Sequence, residues 1–498
     1  MARTARRLAA AASLVLAAAP AWPAGPSPQV AGPRRPHIIW ITVDTLRADH
    51  LALHGYHRDT MPSVEAFAAG AVVFDNAVVP RSSTRPSYAS MLTGQYPFRH
   101  GVRSNDTVLH PDVATLPEIL KGAGYHTAAF IGNFVLLSEL SGVDQGFDVY
   151  DDSMEKADGH GLWYERTSRR TLEAILGWLD RRPQGPFFFL VNLIDPHGPY
   201  RPPPGYRRLF RSPRQRMLLA DQIPSYQREP GVTDFYDYVD RYDAEIRQTD
   251  AAIGLLVEEL RRRGLWDDAL VVFTADHGEA MGEHGTFFEH HFGVWEETKR
   301  VPLVVRLPRA GPAGAPAPPR RVAEPASPMD LTPTVLSLLG VPPPAGHVFD
   351  GVDLLPVLQG GDPAPRSILL EFPRAAGRHM MLPDVFALRT RTHKLVRILD
   401  PDTGGMQREA LFDLRSDPRE QQPMPVDPAD PLHDAMARVL SAGTRVARGH
   451  RLPFHVTEYD TSLARQPEIL SQRGGRDPSG PTLTQEQLEK LRSLGYVN

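Results

Sequence analysis

The stretch HIIWITVD, residues 37–44, decides the fold. It is an apolar run without polar alternation that ends at an acid, Asp44, and this pattern is typical of a strand covered on both faces. Further runs of the same kind follow, namely AVVFDNAVV from Ala71, HTAAFIG from His126, PFFFLVNLI from Pro186, ALVVFTA from Ala269 and PLVVRLP from Pro302. Amphipathic helical patterns lie between several of them, for example over residues 172–179 and 246–260. The alternation predicts an α/β fold, a mostly parallel sheet with helices on both faces, over residues 37–360.

A different pattern follows this part of the chain. SILLEFP, DVFALRTRTHKLVRIL and ALFDL are strand-like pieces with no long helix between them. They predict a small C-terminal antiparallel-sheet subdomain over residues 361–425. Residues 426–498 are polar and rich in proline, and are predicted to form a tail with short helices.

The overall composition excludes some classes of function. The chain has 498 residues, 41% of them apolar and 23% charged, which is a globular composition. Its 55 Lys and Arg against 59 Asp and Glu give a net charge of −4, so no overall positive field exists to hold nucleic acid. Cysteine is absent, which excludes disulfides, thiolate metal sites and a cysteine nucleophile.

The N-terminus has the pattern of a secretory leader. Arg3, Arg6 and Arg7 precede an Ala/Leu run over residues 8–19, and small residues around Pro20 suit cleavage. We interpret residues 1–21 as a signal peptide and 22–36 as a linker, which predicts export to the periplasm or the extracellular space. The alternative, a retained membrane anchor, needs about 20 apolar residues. The run is shorter, so no stable membrane span is expected after cleavage.

Three of the predicted strands run into an acid at their carboxyl ends. These acids are Asp44, Asp195 and Asp276, and the last two are followed closely by His197 and His277. Ligands of open parallel sheets bind beyond this edge, where the strand ends converge. A single acid there is often only an N-cap of the next helix. Three together favour a divalent cation held by oxygen and imidazole ligands.

A candidate nucleophile lies in the segment SSTRPSYASMLTG, residues 82–94. Its hydroxyls precede Pro86, which suits the first turn of a helix, and a helix N-terminus favours an anionic group beside it. The alternative is an ordinary capping cluster of Ser and Thr. If Thr84 joins the acids around one cation, coordination would lower the pKa of its hydroxyl and make it a nucleophile.

Several motifs in order give the chain a resemblance to a known family. They are VDTLRADHLALHGY, TRPSYASMLTGQYPFRHGV, LIDPHGPY, FTADHGEAMGEHG, ETKRVPLVVRLP, DLTPTVLSLLGVP, DGVDLLPVL and ALFDLRSDPRE. Through them the chain resembles the sulfatase family, within the alkaline phosphatase superfamily, from about residue 34 to residue 419. The resemblance implies an α/β hydrolase of anionic esters.

The resemblance also assigns a metal site. It implies that Asp44, Asp276 and His277 are metal ligands and that Thr84 occupies the nucleophile position. Our hypothesis is one divalent ion held by these four residues. Ca, Mg, Mn and Zn all suit such ligands.

Other residues are assigned to substrate binding and to proton transfer. The resemblance implies that His197 and His290 are catalytic and contact the substrate, and we assign Arg47 to substrate binding with them. The alternative for each histidine is an ordinary hydrogen-bonded, half-buried residue. Glu279, Glu283 and His284 are expected to be structural.

Departures from the family pattern bear on the chemistry. Thr84 stands where sulfatases convert a Cys or Ser to formylglycine, and its β-methyl group prevents formation of an aldehyde. Tyr88 replaces the arginine of the CxPSR motif, and Thr45 replaces the second acid of the N-terminal pair. We therefore expect a small, glycan-linked or lipid-linked anionic ester as substrate, with phosphate monoesters or diesters preferred. The alternatives are a sulfatase that works without formylglycine and a non-catalytic anion-binding protein.

Overall fold

The computed structural model describes residues 35–449 apart from 106, 157–163, 183, 291–292, 310–318, 373–383 and 401–402. The predicted signal peptide and nearly all of the predicted linker therefore lie outside the described residues, as does the chain beyond 449.

A large mixed sheet forms the centre of the described chain. Its strands are β1 (His37–Val43), β2 (Val72–Val78), β3 (His126–Phe130), β4 (Val149–Asp151), β5 (Phe187–Leu193), β6 (Ala269–Ala275), β7 (Arg300–Arg306) and β8 (Arg320–Val322). Their order across the sheet is β8-β2-β7-β6-β1-β5-β3-β4. β7 runs antiparallel to both of its neighbours, whereas the other neighbouring pairs are parallel. This confirms the mostly parallel sheet.

Helices accompany this sheet. Those of seven residues or more are α1 (Pro62–Ala68), α2 (Thr84–Thr93), α3 (Leu116–Gly122), α4 (Ser168–Arg181), α5 (Phe235–Arg262) and α6 (Leu331–Leu339). β1, β5 and β6 are buried along their whole length, as expected for strands covered on both faces. The unalternating apolar pattern of the sequence follows from this burial.

Short elements connect these helices and strands. Four-residue helices span Pro97–His100, Ser138–Ser141, Pro204–Arg207, Glu296–Lys299 and Leu355–Leu358. Two ribbons pair Ala280–Met281 with Phe287–Glu289 and Glu155–Lys156 with Tyr164–Glu165.

The C-terminal part forms a second, smaller sheet. β9 (Ile368–Phe372), β10 (Asp384–Arg389), β11 (His393–Leu399) and β12 (Met406–Asp413) pair antiparallel in chain order. This confirms the predicted antiparallel sheet.

The predicted tail is different in the structure. Residues 431–449 form one 19-residue helix, α7 (Pro431–Gly449), which is longer than the short helices predicted for residues 426–498. Met436, Val439 and Leu440 pack in one core cluster with Leu388 and Leu395 of the sheet. This amphipathic helix buries its apolar face on the C-terminal sheet, and the division of the chain at residue 425 stays a prediction. Among the described residues, no helix has the length and apolar character needed to cross a bilayer.

Candidate functional site

The register of the sheet places two acids side by side. β1 and β6 pair in parallel with Val43 opposite Ala275, so Asp44 and Asp276, the next residues, leave the same edge together. Both are fully buried. Ligand atoms of Asp44, Asp276 and His277 all lie within 4.8 Å of one another. The three residues that the sequence proposed as metal ligands thus form one cluster.

Each carboxylate keeps one oxygen without a protein partner. Asp44 Oδ2 accepts a hydrogen bond from Asn133 Nδ2 at 2.6 Å, and Asp276 Oδ1 accepts from the backbone N–H of His277 at 2.9 Å and of Thr45 at 3.3 Å. Asp44 Oδ1 and Asp276 Oδ2 are buried with no hydrogen-bond partner. Unpartnered buried carboxylate oxygens are costly, and a cation between them removes that cost.

The imidazole of His277 is oriented to complete the cluster. Its Nδ1 lies 3.0 Å from the carbonyl oxygen of Gly278; because a carbonyl only accepts, Nδ1 carries the proton. In the neutral ring Nε2 then holds a lone pair. Nε2 lies 3.4 Å from Asp276 Oδ2 and 3.9 Å from Asp44 Oδ1. Two unpartnered oxygens and one ring nitrogen suit a divalent cation, so these residues fit the metal that the fold family implies.

The electrostatics of the two acids agree with this fit. Burial, with the neighbouring charge of Asp276, raises the pKa of Asp44 to about 6. Burial also raises the pKa of Asp276 to about 7. Two ionised carboxylates at this depth are unfavourable without a compensating positive charge.

Thr84 is the first residue of α2 and is buried in the same cluster. Its Oγ1 lies 3.3 Å from His277 Nε2. The helix is held against the end of β6, since Ser87 Oγ donates to the backbone oxygen of Asp276 at 2.6 Å. The hydroxyl therefore lies both at the positive end of a helix and beside the three candidate cation ligands.

The structure brings the two predicted catalytic histidines to this cluster. The ring centroids of His197 and His290 are 5.3 Å apart, and His290 stacks on His277 at 4.4 Å. His197 Nδ1 donates to the carbonyl of Gly198 at 2.9 Å. His290 Nδ1 lies 3.1 Å from Oε1 of Glu279, so this acid, which we expected to be only structural, orients a proposed catalytic ring.

Arg47 has contacts that differ from the sequence prediction. Its Nε and Nη2 donate to the carboxylate of Asp49 at 2.9 and 2.8 Å. Its Nη1 contacts Glu283 Oε1 at 2.7 Å and the Glu279 carbonyl at 3.0 Å. All of its nitrogens are thus engaged by the protein, and burial to 3% exposure leaves no guanidinium face for a substrate. The role of Arg47 in substrate binding therefore stays a prediction, which these contacts with Asp49, Glu283 and the Glu279 carbonyl do not support.

Asp195 also lies outside the metal cluster. Its Oδ2 accepts hydrogen bonds from the N–H of Ser168 at 3.0 Å and from the Ser168 hydroxyl at 2.6 Å. The carboxylate is therefore used to hold the start of α4. Asp195 therefore has a structural role of the general kind that a single acid at a strand end often has.

The other two departures from the family pattern, Tyr88 and Thr45, are both buried. The Tyr88 hydroxyl contacts Thr42 Oγ1 and accepts from Asn192 Nδ2 at 2.8 Å, which places it in the core. Thr45 has a φ of +52°, an unusual backbone conformation for a β-branched residue. Its carbonyl accepts from the Tyr242 hydroxyl at 2.7 Å, which helps to hold this turn.

Asn133 is a site residue that sequence reasoning missed. It follows the end of β3 by three residues, at the same edge as Asp44, and the signal that could have found it is this polar side chain just beyond a buried strand. Its backbone N–H donates to Asn192 Oδ1 at 2.9 Å, while its side chain holds Asp44 Oδ2. It therefore leaves Oδ1 of Asp44 as the oxygen available to a cation.

Replacing Asn133 with Ala is expected to weaken metal affinity roughly 10–100-fold, as loss of a partner that orients a metal ligand does. Calorimetric titration of the metal-free protein with Mg²⁺, Ca²⁺, Mn²⁺ and Zn²⁺ measures the change. The matched control is Asn76→Ala, since Asn76 donates to Ala323 and lies outside the cluster. Equal affinities for the two variants would show that Asn133 has no part in the metal site.

Comparison with known proteins defines the class of this fold and site. The sulfatase family model matches residues 36–341, and the model of the N-sulphoglucosamine sulphohydrolase C-terminal region matches residues 282–441. The chain belongs to the sulfatase family. It is accordingly a hydrolase of ester bonds, in a family whose members use a divalent metal ion. This confirms the predicted family and enzyme class.

Relatives cover most of the chain. It is 27% identical over 411 residues to an ulvan-active sulfatase of Formosa agariphila, covering 78% of this chain and 77% of that protein. It is also 27% identical over 453 residues to a choline-sulfatase of Rhizobium meliloti, covering 80% and 84%.

Solved structures show the same fold. One, bound to its substrate D-glucosamine-2-N,6-O-disulfate, has a TM-score of 0.66 at 22% identity and covers 84% of this chain and 99% of its own. A phosphonate monoester hydrolase of Agrobacterium radiobacter has a TM-score of 0.64 at 24% identity, covering 84% and 96%. At these identities the likeness concerns the fold alone, and it includes proteins named for two different ester chemistries.

Proposed function

We propose that this chain cleaves phosphate monoesters or diesters, by hydrolysis or transfer, with unmodified Thr84 as nucleophile. One divalent ion would be held by Asp44, Asp276, His277 and Thr84. The observation that carries the proposal is the Thr84 hydroxyl, 3.3 Å from His277 Nε2 within a cluster that has two unpartnered carboxylate oxygens.

The proposed chemistry has two displacements at phosphorus. A divalent cation in this cluster supplies positive charge that lowers the pKa of the Thr84 hydroxyl. The Thr84 hydroxyl gives up its proton to solvent water, its oxygen attacks phosphorus and forms an O–P bond, and the bond from phosphorus to the leaving alcohol, which takes a proton from a histidine, breaks in line. Water, or an acceptor alcohol in the transferase case, then attacks the same phosphorus and gives its proton to that histidine, and the Thr84 O–P bond breaks as the Thr84 oxygen takes up a proton from solvent to restore the hydroxyl.

The histidines supply proton transfer in this scheme. The leaving oxygen needs a proton, and the candidates to supply it are His290, which stacks on His277, and His197, whose ring centroid is 5.3 Å from that of His290. The contact of His290 Nδ1 with Glu279 keeps Nε2 of that ring as the atom that can give or take a proton. The Tyr200 hydroxyl donates to the other Glu279 oxygen at 2.9 Å, which fixes the carboxylate.

Thr84 is also the reason to prefer phosphorus over sulfur. A phosphothreonine ester can be cleared by water at phosphorus. A sulfothreonine ester lacks the easy route of formylglycine, in which the hydrate sheds sulfate by collapsing to an aldehyde. The β-methyl group of Thr84 prevents that route.

Sulfate ester hydrolysis is the second candidate. The names of the curated relatives favour it, since they are sulfatases of ulvan and choline sulfate among others. It would require direct hydrolysis of a sulfated threonine or direct attack by water.

An assay of the purified protein on matched aryl esters separates the candidates. We expect the highest kcat/KM on an aryl phosphodiester or phosphate monoester, lower values on a phosphonate monoester, and the lowest on aryl sulfate. The highest kcat/KM on aryl sulfate would overturn the preference for phosphate. Added Mg²⁺, Ca²⁺, Mn²⁺ or Zn²⁺ in separate reactions identifies the active metal.

Replacing His197 or His290 with Ala is expected to lower kcat roughly 10²–10⁴-fold if that residue transfers a proton. An activated leaving group such as 4-nitrophenol should rescue the variant that lacks the general acid, because its departure needs no proton. Steady-state kinetics with 4-nitrophenyl and alkyl leaving groups test this. A change of less than threefold in both variants on both substrates would assign the two rings to packing.

We also propose that the chain acts outside the cytoplasm, on the strength of the leader pattern over residues 1–21. N-terminal sequencing of the protein recovered from the periplasm or the medium should begin near Trp22. Recovery of the intact N-terminus from the cytoplasm would contradict export.

A further inference from the structure

An arginine-rich segment, residues 207–219, lies on the surface between β5 and α5. Its sequence RRLFRSPRQRMLL has five arginines and no acidic residue, in a chain whose net charge is −4. All five are exposed, namely Arg207, Arg208, Arg211, Arg214 and Arg216. The segment is therefore a local positive surface on a protein that is negative overall.

The same segment exposes large apolar side chains. Leu209, Met217 and Leu219 are 53%, 68% and 69% exposed, and they are three of the four most exposed large apolar residues in the described part of the chain. Leu218, between the last two, is buried at 6%. Met217 and Leu219 thus point outward from an anchored strand-like stretch. Clustered exposure of this kind typically marks a binding surface.

The backbone of the segment is held in place by the rest of the protein. Leu218 N–H donates to the Thr233 carbonyl and Phe235 N–H to the Arg216 carbonyl, both at 2.8 Å. Ser212 N–H donates to Asp240 Oδ2 at 2.7 Å. The exposed arginines and apolar residues are therefore presented on a fixed loop.

Nearby acids leave much of this positive charge uncompensated. Asp240 is paired with Arg58 at 2.6 Å, and Asp237 with Arg241 at 3.4 Å. Arg207 reaches Asp237 only at 4.0 Å. In the part of the chain that the structure describes, no ion pair involves Arg208, Arg211 or Arg214.

We propose that segment 207–219 docks onto the surface of an anionic lipid bilayer. Guanidinium groups bind lipid phosphates, and cationic side chains near an anionic leaflet each strengthen binding. The exposed Leu and Met side chains can enter the boundary between headgroups and acyl chains. These apolar side chains favour a bilayer over a soluble polyanion, which offers them no apolar phase.

The docking surface contacts a segment that leads to the candidate active site. The Arg216 guanidinium lies over the ring of Phe287, 5.2 Å from its centroid, and Phe287 begins the strand that leads to His290. Docking would therefore keep the site near ester groups displayed at the membrane. The inference goes beyond the proposed function and does not depend on it, since a catalytically inactive chain would still bind the bilayer.

Vesicle co-sedimentation tests the docking. The probes are vesicles of phosphatidylcholine alone and of phosphatidylcholine with phosphatidylglycerol, and the protein lacks residues 1–21 because that apolar leader would itself enter the bilayer. We expect binding only to the phosphatidylglycerol vesicles, weakened by added salt. The triple variant R208Q/R211Q/R214Q should bind on the order of 10²-fold more weakly, and M217Q/L219Q should bind at least several-fold more weakly.

One control matches the loss of three positive charges, and the other removes one apolar side chain of similar exposure. R309Q/R415Q/R438Q removes three exposed arginines elsewhere, and Met406→Gln removes an apolar residue that is 62% exposed; both should bind like the unsubstituted protein. Equal weakening by control and test variants, absence of vesicle binding, or retention on dextran sulfate without binding to vesicles would each overturn the proposal. Retained ester hydrolysis in every variant keeps this test separate from that of the proposed function.

Discussion

Replacing Thr84 with Ala is expected to reduce turnover on the order of 10⁴–10⁶-fold, as removal of a nucleophile does in hydrolases. The physical reason is that the hydroxyl at the start of α2 is the atom placed to attack. Steady-state kinetics on the best aryl ester measures the loss. Metal affinity should fall but persist, because Asp44, Asp276 and His277 remain.

Matched variants and a trapping experiment separate the role of the Thr84 hydroxyl from that of the shape of the side chain. Thr84→Ser keeps the hydroxyl and should keep activity within about an order of magnitude, whereas Thr84→Val keeps the shape without the oxygen and should behave like Ala. Acid quench during turnover should yield a peptide with phosphate on Thr84, detected by mass spectrometry. Unchanged activity in the Ala variant would remove Thr84 from the mechanism.

Replacing Asp276 with Asn is expected to abolish both metal binding and activity, with a loss in rate on the order of 10³-fold or more. Asn can keep the hydrogen bonds that Oδ1 accepts from the Thr45 and His277 backbone, but it cannot offer a second anionic oxygen to a cation. Elemental analysis and calorimetric titration measure the metal. Asp250→Asn is the control, since this buried acid accepts from Ser63 and Val64 backbone N–H groups away from the cluster. Full metal content in Asp276→Asn would contradict the assignment.

The free energy of unfolding of the metal-free protein is also expected to depend on the charge of Asp276, in a direction that follows from its pKa. Burial raises the pKa of Asp276 to about 7, well above the ordinary value for an aspartate near 3.8. Below about pH 4 Asp276 is protonated in both the folded and the unfolded state, so it does not change the free energy of unfolding. As the pH rises to 7, the acid ionises first in the unfolded state, so the free energy of unfolding of the metal-free protein falls by up to about 4 kcal/mol. Above pH 7 this decrease is constant.

Denaturant unfolding in a chelator tests this sign. The free energy of unfolding of Asp276→Asn, relative to the unsubstituted protein, should increase between pH 4 and pH 7 and then level off. Added metal should stabilise the unsubstituted protein and leave the variant unchanged. If this relative free energy of unfolding instead falls between pH 4 and pH 7, the negative charge of Asp276 is stabilised by other groups of the protein.

The sequence predicted the central sheet well because buried parallel strands have a strong local signature. β1, β5 and β6 are continuous apolar runs, and each ends at an acid that the sequence itself displays. Their shared direction places Asp44 and Asp276 at one edge, but the pairing of β1 with β6, which the pattern does not specify, brings the two acids together. The C-terminal helix α7 was missed because the polar and Pro-rich residues around it conceal one amphipathic stripe, whose partner is a sheet many residues earlier.

For this protein the sequence by itself determined the α/β class, the edge of the sheet where chemistry occurs, and Thr84 as the departure from the family motif. Only the tertiary structure decided that Asn133 holds Asp44, that Glu279 contacts His290, and that Arg47 is fully engaged by acids. Strand ends and motifs can be predicted from the sequence because they depend on residues that are close together in the chain. The partners of buried polar groups come from distant segments, and the packing of those segments alone decides which groups meet.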